Sequence, residues 1–318
     1  MKGIYFDGKQ PVYREDLPVP EADAEHSVIR VARANVCSTD KEILRGYRPD
    51  FQGIMGHEFA GEVIASLDPV WQGKRVVGEI NEGCGHCLYC RSGLEKHCPE
   101  RKCIGIDGAD GCFAEYVKVA NHCLHELPEA LPFEQAVFAE PLAAALEIPE
   151  QVHIRPEARV AVIGDGRLAF MVAQVLALTG CDLHVLGKHE DKLATFAPYA
   201  TTALISAFAH PDPCRDTFDI IVECSGHPSG MELAGRLIRR RGTIILKSTY
   251  AGKTEIDLSY YAVNEITITG SRCGPFAPAV KLLAKGLIHL PDPEIHALKD
   301  FEQAFSSQAF KAGFDPSL

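Results

Sequence analysis

Cys84, Cys87, Cys90 and Cys98 lie in one short stretch, GCGHCLYCRSGLEKHC. Thiolates spaced this closely on a turn converge on a point, so four of them offer Zn²⁺ the closed tetrahedral S₄ shell of a structural site. A second set is more dispersed: Cys37 in VCSTD, and His57 with Glu58 in GIMGHEFAGEV. One thiolate, one imidazole and one carboxylate form a mixed shell that can keep a coordination position open, as catalytic zinc requires. Taken singly, Cys37 reads as a small buried hydrophobe and His57 as a satisfied polar residue; their combination is what points to a metal. The expectation is two zinc ions per chain, one held for structure and one for chemistry.

A third group is glycine-rich. Gly164-Asp165-Gly166-Arg167-Leu168-Ala169 follows the apolar run RVAVI and leads into AFMVAQVLAL, a strand–turn–helix context. Gly164 would make the tight turn, Gly166 would let backbone approach a pyrophosphate, and Ala169 would take the place of the third glycine at the helix–strand contact. Arg167 and Leu168 then open a helix whose N-terminal amides and dipole favour the diphosphate of a dinucleotide. The end of the next strand, HVLGKHEDKL, places Gly187 where an acid would hold the ribose 2′-hydroxyl of NAD, followed by Lys188 and His189. Space at Gly187 with a cation beside it favours NADP over NAD. A solvated loop with incidental charges, or Glu190 or Asp191 reaching the ribose, is the competing reading.

The elements that must position these groups fall into two patterns. Up to about residue 130 the chain has short alternating strands broken by Gly and Pro, such as SVIRVARANV, GEVIASL, KRVVGEI and AEYVKV, which predict a β-rich, partly barrel-like domain. Then apolar strands alternate with helices: RVAVI, CDLHVLG, TALIS, FDIIVEC, GTIILKS and EITITGS are strand candidates, and SGMELAGRLIRR is one of the intervening helices. That alternation predicts a doubly wound parallel sheet covered on both faces. Helices are also expected in APAVKLLAKG and around DFEQAFSSQ near the end.

Composition narrows the function. With 318 residues, 46% hydrophobic and 24% charged, the chain has material for two folded domains. A formal net charge of −11 disfavours nucleic acid or an anionic membrane as the main partner. No apolar run is long enough to span a bilayer and MKGIYFDGKQPVYRE is not a signal peptide, so a cytoplasmic protein is expected. Twelve cysteines in so long a chain are better explained by metal ligands and small buried hydrophobes than by a disulfide scaffold.

Taken in order, VCSTDKEILRG, GHEFAGEV, the four-cysteine lobe, FAEPLAAALE and the glycine turn resemble the zinc-dependent medium-chain alcohol dehydrogenases, in the style of the polyol and glucose dehydrogenases. The resemblance covers nearly the whole chain. It implies a GroES-like catalytic domain over residues 1–143 with the zinc lobe at about 84–98, a Rossmann domain over 144–275, and a segment 276–318 returning to the catalytic domain. It also implies hydride transfer between NAD(P) and an alcohol or polyol, or the corresponding aldehyde or ketone, in a homodimer or homotetramer. Carried over by residue, Cys37 and His57 would ligate the catalytic zinc, with Glu58 as an exchangeable ligand and Glu140 of AEPLA as a further carboxylate. Thr39 would relay the substrate proton, and Arg272 of GSRCG would lie near nicotinamide or substrate. Two departures bear on the proton path: Ser38 replaces the usual glycine after the zinc cysteine, and Ile43 stands where some members carry a relay histidine. Two other readings compete. One is a zinc-free enone or quinone reductase of the same superfamily, which would lack the Cys/His/Glu set; the other is a zinc-ribbon module for nucleic acid, which the acidic balance opposes.

Overall fold

The structure, a computed structural model, describes residues 1–208, 216–249 and 255–318. It divides into two compact units, one formed by Met1–Glu140 with Phe276–Leu318 and the other by Pro141–Pro275.

The first unit is built around the long strand His26–Asn35, whose inward residues Val28, Ile29, Val31 and Ala34 are buried. It pairs antiparallel with Glu58–Ala65 and Tyr116–Ala120, and at its end with Ala312–Phe314. Strands Arg75–Gly78 and Leu124–Glu126 extend the sheet on one side and Glu294–His296 on the other. Phe59, Phe113 and Phe314 fill the core against Val63, Val76 and Val117. The expected strand at GEVIASL starts earlier, at Glu58, because FA continues the apolar run into the sheet. This register has a direct consequence. Asn35 pairs with Glu58, and Gly313 pairs with Asn35 from the other side, so Cys37, the His57-Glu58 pair and Lys311 are brought to one end of the sheet.

The second unit is a six-stranded parallel sheet: Arg159–Ile163, Asp182–Gly187, Thr201–Leu204, Phe218–Glu223, Ile238–Leu246 and Thr267–Gly270. Numbered along the chain, the strands lie in the order 3-2-1-4-5-6, that of the Rossmann fold. These are the six segments expected from their apolar runs. Strand residues with both neighbours in the sheet, such as Ala161, Val162, Val185 and Ile221, are fully buried, as parallel sheets require.

One expected helix is shorter than its sequence suggests. SGMELAGRLIRR forms a helix only over Pro228–Leu237, and Ile238–Arg240 already belong to the next strand. Ile238 pairs with Phe218, an irregularity follows, and Arg241 takes a left-handed φ of 58° before regular pairing resumes at Thr243. Burial of Ile238 in the core outweighs the helix preference of the arginines after it. Among the described residues, no helix is long and apolar enough to cross a membrane.

Candidate metal and cofactor sites

The four-cysteine lobe closes on itself. The Sγ atoms of Cys84, Cys87, Cys90 and Cys98 all lie within 4.8 Å of one another. Cys87 caps the one-turn helix Leu88–Arg91, its sulfur accepting from the Cys90 amide at 3.5 Å, while the Cys98 sulfur accepts from the Cys84 amide at 3.4 Å. Backbone donors of this kind favour thiolates. The amide of His86, and to a lesser degree that of Cys87, bring Cys84 down to about 6 against the cost of burial. Four converging sulfurs with amide donors fit a tetrahedral Zn²⁺ and leave it no open position.

The second cluster is largely buried, with Cys37 the more accessible member. Ligand atoms of Cys37, His57 and Glu58 fall within 4.8 Å of one another, with His57 3% exposed and Glu58 0%. Cys37 lies between strand His26–Asn35 and helix Ser38–Ile43, and as the N-cap of that helix it brings its sulfur close to His57 and Glu58 at the head of the adjacent strand. Two residues that sequence reasoning passed over complete the arrangement. Asp40, fully buried on that helix, accepts from the Cys37 amide at 2.7 Å through Oδ2 and places Oδ1 3.3 Å from His57 Nδ1. A carboxylate on Nδ1 leaves Nε2 as the metal-binding nitrogen. Burial alone would lower the His57 pKa, but the Asp40 carboxylate and the Cys37 sulfur outweigh it and hold the imidazole well above its ordinary value.

The other residue is Lys311, 3% exposed, whose Nζ lies 2.8 Å from Glu58 Oε1 and 2.7 Å from Oε2. The Oε1 contact is a good hydrogen bond. Oε2, like His57 Nδ1 and Asp40 Oδ1, has a close ionic neighbour but no hydrogen bond of good geometry among the described residues. Buried polar atoms held near, yet not bonded to, their neighbours are a sign of a cluster built around a further group, and the soft and borderline donors present suit Zn²⁺. Thr39 is placed beside the cluster, with Oγ1 3.7 Å from the Cys37 sulfur. Glu140 is not brought in: half-buried in the first turn of helix Ala139–Gln151, it falls outside the group of side chains that converge on Cys37.

In the second unit, Gly164 adopts φ 129°, and a Cβ there would stand 2.7 Å from the Cys224 carbonyl, so only glycine makes this turn. Gly166 has open space on the side where a Cβ would project and caps the helix Arg167–Ala177. The first-turn amides of that helix, from Arg167 and Leu168 onward, are the donors a diphosphate needs. Arg272 is exposed just past the last strand of the same unit, and its guanidinium is 3.7 Å from the Cys273 sulfur.

At the strand end the structure adds a residue that the sequence reading did not weigh. On the side where a side chain of residue 187 would project, there is no open space. A Cβ on residue 187 would stand 2.8 Å from Asp165 Cβ, Asp165 Oδ2 and Leu193 Cδ2. The Asp165 carboxylate fills that position, its Oδ2 accepting from the amides of Lys188 at 2.7 Å and His189 at 2.9 Å and lying 2.9 Å from His189 Nδ1. Burial pushes Asp165 up, but the His189 and Lys188 amides and the His189 ring hold its carboxyl below the usual range. The sequence signal was available: an acid between the two glycines paired with a glycine at the strand end.

Comparison with known proteins agrees with this geometry. Residues 23–129 match the alcohol dehydrogenase GroES-like domain. D-arabitol-phosphate dehydrogenase of Enterococcus avium is 28% identical to the chain, over 96% of this chain and 93% of that protein. Among solved structures, a zinc-binding dehydrogenase from Sinorhizobium meliloti, bound to NADP, superposes with a TM-score of 0.90 at 25% identity, covering 99% of each chain. A protein described as a short chain alcohol dehydrogenase from E. coli CFT073, complexed with NADH, gives 0.87 at 23% identity, over 99% of this chain and 98% of that one.

Two sets of substitutions separate the roles. Cys98→Ser removes a ligand from a closed shell, and is expected to lower the melting temperature and release about one zinc per chain. Cys37→Ser is expected to lose turnover while keeping the fold, as read by circular dichroism and metal analysis. Lys311→Met leaves the Glu58 carboxylate buried without its cation and is expected to cost about 3–5 kcal/mol in denaturant unfolding of protein that keeps the four-cysteine zinc but lacks the one at Cys37 and His57. The double variant Lys311→Met, Glu58→Gln should recover most of that loss.

Proposed function

Because the chain belongs to the medium-chain dehydrogenase/reductase superfamily, among its zinc-type, polyol-dehydrogenase-like members, we propose that it uses two zinc ions and a nicotinamide dinucleotide to interconvert a polyhydroxylated alcohol and its carbonyl compound. It is an NAD(P)-dependent oxidoreductase. The observation that carries the zinc-dependent reading is the buried convergence of Cys37, His57 and Glu58, which a zinc-free enone or quinone reductase has no use for. Preference for a polyol over a simple alcohol rests on relatives such as D-arabitol-phosphate dehydrogenase and the sorbitol dehydrogenase of Bacillus subtilis, the latter 24% identical over 91% of this chain and 87% of that protein.

Zinc held by these residues supplies a Lewis acid to the substrate hydroxyl, and the dinucleotide supplies the hydride acceptor or donor. The rest is the work of the chain's own groups. Cys37 and His57 would hold the ion, and Asp40 beside Nδ1 orients the imidazole so that Nε2 is the nitrogen left for it. Glu58 would be the further, exchangeable ligand, and the buried Lys311 ammonium neutralises its carboxylate. Thr39, next to the Cys37 sulfur, takes the proton released from the substrate hydroxyl and passes it outward. Ser38 is exposed one residue before it and offers a second hydroxyl on the same path. Cys84, Cys87, Cys90 and Cys98 hold the structural zinc and take no part in the chemistry.

The test is a panel of polyols, sugar phosphates and simple alcohols, assayed with both dinucleotides on zinc-replete protein. Oxidation of a polyol is the expected result. Reduction of enones with no activity on any alcohol would overturn the reading. Thr39→Val keeps the side-chain shape without the hydroxyl, so turnover should fall roughly 10²-fold with zinc content unchanged. A wild-type rate and pH profile in that variant would remove Thr39 from the relay.

A further inference from the structure

The strand end that follows the glycine turn is where Rossmann proteins choose between NAD and NADP, normally through an acid on that strand. In this chain the strand ends in Gly187, yet a carboxylate still occupies the place. It comes from Asp165, inside the glycine turn, whose atoms sit 2.8 Å from where a side chain on residue 187 would begin. We propose that Asp165 is the specificity-determining residue for the cofactor, a ribose-binding carboxylate supplied from the glycine turn, and that it selects NAD over NADP.

Three observations support this. The carboxylate is held in place: Oδ2 accepts from two backbone amides, those of Lys188 and His189, with the His189 imidazole 2.9 Å away. Its side chain is 12% exposed, so it is ordered and yet still reaches the surface. All three contacts go to Oδ2, which leaves Oδ1 to accept from a ribose 2′-hydroxyl. The same contacts explain why NADP is disfavoured. The Lys188 and His189 amides and the His189 ring are the donors that would otherwise cradle a 2′-phosphate, and here they serve a carboxylate. An incoming phosphate would meet a fixed negative charge at close range, with the Lys188 ammonium as the cation left to offset it. Gly187 follows from the same arrangement, since any larger residue would displace Asp165.

The inference rests on the nicotinamide-dinucleotide reading of the glycine turn, and equilibrium binding separates the two. Calorimetric titration of zinc-replete wild-type protein should give a Kd for NADH at least tenfold below that for NADPH. Asp165→Asn keeps the shape and an acceptor for the amides but removes the charge, and Asp165→Ser removes the carboxylate altogether. Both should lower the NADPH-to-NADH ratio of Kd values by tenfold or more, whereas a loss of loop order would weaken both dinucleotides together and leave the ratio where it was. Wild-type protein that binds NADPH as tightly as NADH overturns the proposal without any variant, as does an unchanged ratio in Asp165→Asn. Failure of the wild-type protein to bind either dinucleotide overturns the cofactor reading itself.

Discussion

The first unit is organised by the need to bury charge. Asp40, Glu58, His57 and Lys311 are all nearly or wholly inaccessible, and they meet at the end of the sheet where Cys37 also lies. Removing a single ion from water costs several kcal/mol, so such a group persists only if each charge has a partner and the cluster as a whole is balanced. Asp40 with His57 and Glu58 with Lys311 form two such pairs. The Cys37 thiolate, formed when the site is loaded, adds negative charge that a divalent cation offsets. Strand register places the members: Asn35 opposite Glu58 on one side and opposite Gly313 on the other puts Cys37, His57 and Lys311 within reach of each other.

Legibility in the sequence followed the range of the interaction. The thiolate run was readable because its geometry is local: four cysteines on two turns converge without help from the rest of the fold. The six strands of the parallel sheet were readable because each is a continuous apolar run. Cys37, His57 and Glu58 were recognised only as a set and through resemblance. Asp40 was hidden in plain view, three residues after Cys37, where an acid in the first turn of a helix is ordinary. Lys311 was not accessible to pattern reading at all, since it lies 253 residues from Glu58 and only the returning terminal strand unites them. The short helix over Pro228–Leu237 was overestimated because arginine is a good helix former, while burial of Ile238, which no local preference reveals, starts the strand early.

The cofactor end shows how the surroundings of one residue depend on side chains that are distant in sequence. Gly187 stands where an acid would lie on this strand, and its lack of a side chain reads in the sequence as space. Space at one residue depends on its neighbours in three dimensions, and Asp165, one strand over and 24 residues from His189, fills it. The two glycine-region features are thus one device: a small residue at the strand end and an acid in the turn.

On this reading the two clusters would hold zinc in different states of closure, one coupled to turnover and the other to the fold. Stepwise removal of metal by a chelator, following zinc content, NAD(P)-linked alcohol oxidation and melting temperature on the same samples, tests it most directly. Loss of the first zinc, about one per chain, is expected to abolish oxidation with the fold intact, and the second is expected to leave only as the protein unfolds. Full turnover after one zinc per chain has been removed, with no change in the folded state, would contradict it.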